Sequence, residues 1–272
     1  MNKVKIILSY ILGLVISICL MGLALIFISK KTVLDKKFMN RLFDENNYYE
    51  NVYNSIHEDV LDYMTSSGLE EEILQGVILK ENVKSDIDNY IDSFYKGELY
   101  NVDTSYVEGT LKTNIDNYLK GLNLGVDNTN ELDLFISDIG GIYKKQVSFY
   151  NTIDSFGPKV LKLNNLINKY TKILCIITIV LIVLLIVLGY VGIGSCILSS
   201  GFMLFLLKLF IYERIDTENI LIVSEYFSSI IKSTFKYSGN YMINISVVLI
   251  VLGTILCLFK NRKNNLEKRS TN

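Results

Sequence analysis

His57 is the one histidine of this 272-residue chain, and it is flanked by Glu58 and Asp59 on a segment with helical apolar spacing. Imidazole beside carboxylates is common material for acid–base chemistry and metal ligation. A lone histidine cannot build a two-histidine metal site, and no second base completes a Ser/His/Asp arrangement. His57 therefore reads either as a surface or partly buried helix residue or as a solitary site residue. Lys208 is the ionisable side chain well inside an apolar stretch, about one helical turn from Tyr212. Its ammonium can snorkel to lipid headgroups, or it can hold a lipid phosphate or another anion. No acid accompanies it, which disfavours proton-coupled transport and ion conduction.

Other polar clusters carry less chemistry. Glu70-Glu71-Glu72 after Gly68 reads as an acidic first turn favoured by the helix dipole. The run Asp127-Asn128-Thr129-Asn130-Glu131-Leu132-Asp133 alternates oxygen ligands but lacks the glycine and final glutamate of an EF-hand. It reads as a loop with a helix cap, loose calcium binding being the alternative. Cys19, Cys175, Cys196 and Cys257 all lie in apolar stretches with no C-x-x-C spacing, so neither a disulfide framework nor structural zinc is expected. No residue pattern marks a catalytic, cofactor-binding or metal-ligating set. Gly-rich phosphate loops and basic nucleic-acid patches do not occur.

The elements that must position these residues are set by hydropathy. Four apolar stretches, Ile6 to Ile28, Ile173 to Val191, Ile193 to Tyr212 and Met242 to Phe259, are long enough to cross a membrane. The first alone reaches about 34 Å at a helical rise of about 1.5 Å per residue, against a hydrocarbon core of about 30 Å. Its apolar run exceeds a signal-peptide core, and Phe27-Ile28-Ser29-Lys30-Lys31 shows no A-x-A site, so it is expected to be a retained anchor. Lys3 and Lys5 precede the first span; Lys260, Arg262, Lys263, Lys268 and Arg269 follow the last. Basic flanks stay inside, so both termini are expected in the cytoplasm of a multi-pass cell-membrane protein. Residues 30–172 then lie outside, with 16 basic and 23 acidic residues and a net charge of −7. Lys30, Lys31, Lys36 and Lys37 at the outer end of span one oppose this orientation and are outweighed by the terminal bases. Spans two and three are expected to meet in a tight cytoplasmic turn around Gly192.

The expected fold is all-α: four transmembrane helices with an extracytoplasmic helical-bundle domain between spans one and two. Residues 1–29 form the cytoplasmic N-terminus and span one, 30–172 the outer domain, and 173–212 spans two and three. Residues 213–241 form a second outer segment, and 242–272 span four with a basic cytoplasmic tail. With Pro158 as the one proline, five or six helices are expected between Asp44 and Pro158. One covers Asn47 to Thr65 with Val52, Ile56, Val60 and Tyr63 inward, ending at Ser66-Ser67-Gly68; Gly97 and Gly121 read as similar stops. The last helix is expected to run from Lys159 into span two. Residues 83–91 align with 111–119 over nine identical or conservative positions. That likeness is either chance within a shared helical pattern or a duplicated unit whose copies pack as neighbours. In the second outer segment Ile220, Val223, Phe227, Ile230 and Ile231 share one side, capped by Asp216 or Thr217 and stopped by Gly239. That helix lies on the membrane or docks on the outer domain. Ser9, Gly13 and Ser17, and likewise Gly192, Cys196 and Ser200, form small-residue stripes expected to be helix-packing seams.

One span, an outer domain, an inner hairpin, a smaller outer segment, a fourth span and a basic tail resembles the layout of lipoprotein intramolecular transacylases and their four-span relatives in Gram-positive bacteria. The resemblance lies in topology rather than motifs, and it implies layout and localisation; no residue role is carried over. The expected function is non-enzymatic: a partner-binding, sensory or assembly-accessory subunit acting through its outer helical domain, without a cofactor. The alternative is an outer-leaflet lipid or lipoprotein-modifying enzyme using His57 and Lys208. The expected partners are the lipid bilayer and another membrane or envelope protein, not nucleic acid; a homo-oligomer is compatible with the sequence.

Overall fold

The computed structural model describes residues 3–123, 129–148, 157–188, 192–214 and 225–270, and among these every regular element is helical. In order they are α1 (Lys3–Lys31), α2 (Lys36–Glu45), α3 (Tyr48–Ser66), a 3-10 turn (Glu71–Leu74), α4 (Lys80–Lys96), α5 (Ser105–Gly121), α6 (Thr129–Val147), α7 (Gly157–Leu188), α8 (Ile193–Arg214) and α9 (Glu225–Ser270). The run Asp127-Asn128, the turn residues Tyr190 and Val191, and the cap and stripe positions Asp216, Thr217, Ile220 and Val223 lie outside the described residues.

The chain divides into two compact units: an apolar one of residues 1–35, 163–220 and 232–272, and a polar one of residues 36–162 and 221–231. Four helices are long and apolar enough to cross a membrane, over Lys3–Lys31, Lys159–Leu188, Ile193–Ile211 and Tyr226–Lys260, making this a multi-pass membrane protein. Only 11 to 28% of each apolar window is buried within the protein. Ile7, Ile11, Ile176, Val187, Phe210 and Leu258 are among the large apolar side chains left outward. Helices apolar on every side are stable in hydrocarbon, where a water-exposed surface of this kind would associate.

Inside the apolar unit, small residues rather than large ones decide the packing. Ser9, Gly13, Ile16 and Ser17 of α1 are buried, and α1 packs along α8. Between α8 and α9 three glycines allow backbone contact. A Cβ at Gly194 would stand 2.9 Å from the Cys257 nitrogen, one at Gly201 3.0 Å from the Ile250 nitrogen, and one at Gly253 2.5 Å from the Leu198 nitrogen. Lipid tails are as apolar as leucine, so helix association in a bilayer depends on such close van der Waals contact.

The polar unit has a conventional core. In α3 the row Val52, Ile56, Val60 and Met64 is buried. Met64 takes the place expected of Tyr63, because the fourfold row continues to residue 64. Tyr63 is only half-buried, stacks on Phe135 at 5.3 Å and donates a 2.6 Å hydrogen bond to Asp138. Helix α2 starts before Asp44, where helical structure was expected to begin, and contributes Phe38, Leu42 and Phe43 to the core. Helix α4 ends on Gly97, whose φ of +72° is open to glycine at little cost. The two similar segments do not pack as neighbours: α4 lies against α2, α3 and α6, whereas α5 lies against α6 and the 3-10 turn. Gly239 does not end a helix. It lies inside α9, which runs without interruption from Glu225 to Ser270, so residues 225–237 belong to the same helix as span four.

Glycine substitutions separate the two kinds of packing. Gly253→Ala is expected to lower the thermal stability of the detergent-solubilised protein, since the added methyl meets backbone atoms of α8. Gly109→Ala in α5, where a Cβ meets nothing within 4 Å, is expected to stabilise by about 0.5–1 kcal/mol. Thermal unfolding of both variants checks the pair.

Candidate functional site

His57 projects from α3 into a groove of the polar unit with a volume of about 430 Å³. Its ring lies 6.3 Å from that of Tyr53 one turn earlier, tilted by 46°. Facing them is the segment from Glu71 to Ile78, which begins as a 3-10 turn and supplies Glu71, Glu72, Leu74, Gln75, Gly76 and Ile78 to the lining. The acidic run after Gly68 thus forms one 3-10 turn, with Glu70 before it in extended conformation. Leu74 and Ile78 are buried beneath the groove, while Glu71 and Glu72 stand exposed at its rim.

Neighbouring α5 holds this irregular segment in place. The Asn114 side-chain amide donates to the carbonyls of Ile73 at 2.8 Å and Gln75 at 2.9 Å, and the Tyr106 hydroxyl donates to the Gly76 carbonyl at 2.9 Å. Gly76 itself has φ +73°, a conformation that would strain any side chain with a Cβ. Three carbonyls that a helix would have paired internally are paired from outside, so the groove wall is preformed. Chemically the groove offers an aliphatic floor, an aromatic wall and a carboxylate rim, with one imidazole. That suits a cationic side chain next to an apolar one.

A second polar assembly lies nearby in the same unit. Asp86 on α4 accepts hydrogen bonds from the hydroxyls of Tyr143 at 2.7 Å and Tyr100 at 3.0 Å. It borders a cavity of about 160 Å³ that also meets Asn82, Ser85, Asp103 and Tyr106. Burial, followed by the bond to Asp86, pushes the Tyr143 hydroxyl far above the ordinary tyrosine range. Burial, then the charge of Asp86, raises Tyr100 in the same direction. Tyr49 is likewise raised, by burial and then by its 2.7 Å bond to Asp88. Asp103 is held below the usual carboxylate range by the hydroxyl and backbone N–H of Ser105, the first residue of α5. Among the described residues no group of three or more His, Cys, Asp or Glu is placed to hold a metal ion.

Lys208 belongs to the apolar unit, on α8, and is half-buried there; His57 belongs to the polar unit. Ser17 donates to the Gly13 carbonyl of its own helix at 2.9 Å and lies 3.0 Å from the Cys196 carbonyl on α8. Ser9, Cys196 and Ser200 are buried, and Gly192 immediately precedes α8. Gly13, Ser17, Gly192 and Cys196 all border a large cavity of the apolar unit. Sequence reading missed Gly194, Gly201, Ser246 and Gly253, whose sevenfold spacing on α8 and α9 is the signal that marks them as one face of each helix. It also missed Asn114 and Tyr106, for which the sequence holds no signal, since their partners are backbone carbonyls of another segment.

Comparison with known proteins finds no match: no protein-family profile, curated protein or solved structure is significantly similar to this chain.

The raised tyrosines predict an alkaline limit to the stability of the polar unit. Their folded-state values lie above the ordinary one of about 10, so their contribution is complete below pH 10 and is lost as pH rises beyond it. Tyr143→Phe is expected to cost about 1.5–3 kcal/mol near neutrality, as a hydrogen bond to a charged group is removed, and to flatten the loss above pH 10. Unfolding followed by circular dichroism across pH 7 to 11, with tyrosinate absorbance alongside, checks both effects.

Proposed function

We propose that this multi-pass protein sits in the cell membrane with both termini cytoplasmic and its polar helical unit outside. There it works without catalysis, as a partner-binding, sensory or assembly-accessory subunit for another membrane or envelope protein. The partner is recognised through a basic segment that carries an apolar residue beside its cation. The observation that carries this reading is the preformed groove at His57, with Glu71 and Glu72 exposed on its rim above Leu74 and Ile78.

The charge of the larger segment of this unit supports it. Residues 36–162 hold 22 acidic and 12 basic residues, a net charge of −10 on a chain whose total is −1. Such a field attracts basic partners and speeds their encounter, while an apolar floor under the rim adds the desolvated contact on which affinity depends. Three of the twelve bases are committed to internal ties: Lys36 pairs with Asp92, Lys80 with Glu50 and Lys112 with Asp133. These pairs are surface-exposed and contribute little stability individually.

Covalent cross-linking and co-purification of the full-length protein from native membranes test the reading. A defined partner is expected, captured at least tenfold less by the Glu71→Lys/Glu72→Lys double variant, equivalent to about 1.4 kcal/mol, and released near 1 M salt, where the Debye length falls to about 3 Å. Capture unchanged by that reversal would remove the groove from the reading. A lipid or lipoprotein product lost on His57→Ala at normal protein levels would assign the chain to outer-leaflet modifying enzymes instead.

A further inference from the structure

We infer that the apolar unit carries a binding site for one anionic glycerophospholipid, in the cavity bounded by α1, the end of α7, the start of α8 and the stretch of α9 from Leu256 to Lys260. This cavity has a volume of about 900 Å³, within the range of about 300–1,000 Å³ typical of ligand sites. Its walls come from one end of the helical assembly. Tyr10 to Ser17 on α1 covers about 10 Å of helix, and Ile193 to Met203 on α8 about 15 Å. Lys260, which also lines the cavity, is the last residue of the fourth membrane-spanning segment. The cavity therefore begins at headgroup level and reaches about halfway into a hydrocarbon core of about 30 Å.

Its chemistry changes along that depth. Leu14, Leu185, Met203 and Leu256 give it apolar walls, whereas Tyr10, Ser195 and Lys260 bring polar atoms to it. Lys260 folds over Gly192: a Cβ there would meet its Cδ at 3.1 Å and its Nζ at 3.4 Å. The missing side chain at Gly192 thus lets the ammonium lie along the cavity mouth. An occupant must place a negative group at the lipid–water boundary and an apolar tail beside the helices. In a bilayer that description is met by a phospholipid bearing net negative charge, and basic pockets between spanning helices bind such headgroups. Arg262, two residues beyond Lys260, adds a further base at the same end, where such charges raise the local concentration of anionic lipid.

Native mass spectrometry of the full-length protein, after detergent extraction and reloading with phosphatidylglycerol or phosphatidylcholine, tests the site. One phosphatidylglycerol is expected to stay bound, with at least tenfold preference over phosphatidylcholine. Lys260→Ala should abolish that preference and Lys260→Arg should restore it. Ser199→Phe, which fills the cavity without changing charge, should reduce retention of both lipids at least tenfold. Lys5→Ala, removing a base that does not line the cavity, should leave retention unchanged. Equal loss with Lys5→Ala and Lys260→Ala would replace the site with diffuse surface attraction and overturn the inference. Displacement of the lipid by millimolar inorganic phosphate would show a headgroup-only anion site and overturn it too. So would full retention by Ser199→Phe.

Discussion

A peptide N–H or C=O left unpaired in hydrocarbon costs several kcal/mol, and everything in the apolar unit follows from avoiding that cost. Each membrane-crossing segment is helical over its described length, so its backbone is satisfied within itself and its side chains can face lipid. Polar side chains in these helices obey the same constraint: Ser17, Thr178 and Thr254 return their hydroxyls to carbonyls one turn back. With backbone bonds satisfied and no water to expel, the helices associate chiefly by close contact, aided by the hydrogen bond of Ser17 to the Cys196 carbonyl. Hence glycine, rather than leucine, occupies the closest approach of α8 to α9.

The polar unit solves a different problem with the same secondary structure. Water supplies the driving force there, so burial of Ile56, Ile87, Leu111 and Ile139 does what contact distance does in lipid. Its irregular part walls the groove at His57. The segment after α3 leaves regular structure for a 3-10 turn and a left-handed glycine, and its orphaned carbonyls are claimed by Asn114 and Tyr106. A groove built this way is held open by hydrogen bonds in its wall, not by its occupant.

Much of the helical layout was readable from residue spacing. Gly68 and Gly97 stop their helices because positive φ is open to them, and the fourfold apolar row of α3 marks its buried face. Helix α2 was harder to read, having only three core residues in ten positions. Gly239 misled because a glycine within a helix exacts about 1 kcal/mol, too little to break a helix as long as α9. The two similar segments misled differently. Asp86 and Asn114 occupy matching positions, yet one collects tyrosine hydroxyls and the other caps a turn, since each faces a different neighbour.

Composition and period by themselves determined that the described elements are helical, that four of them suit a bilayer, and most of the buried face of α3, because hydrophobic transfer and helix geometry are local properties. The tertiary structure alone decided which glycines touch a neighbouring backbone, which carboxylates tie down tyrosines, that His57 opens onto an acidic groove, and that Lys260 lies over Gly192. Those depend on distances between residues far apart in the chain, and no local preference encodes them.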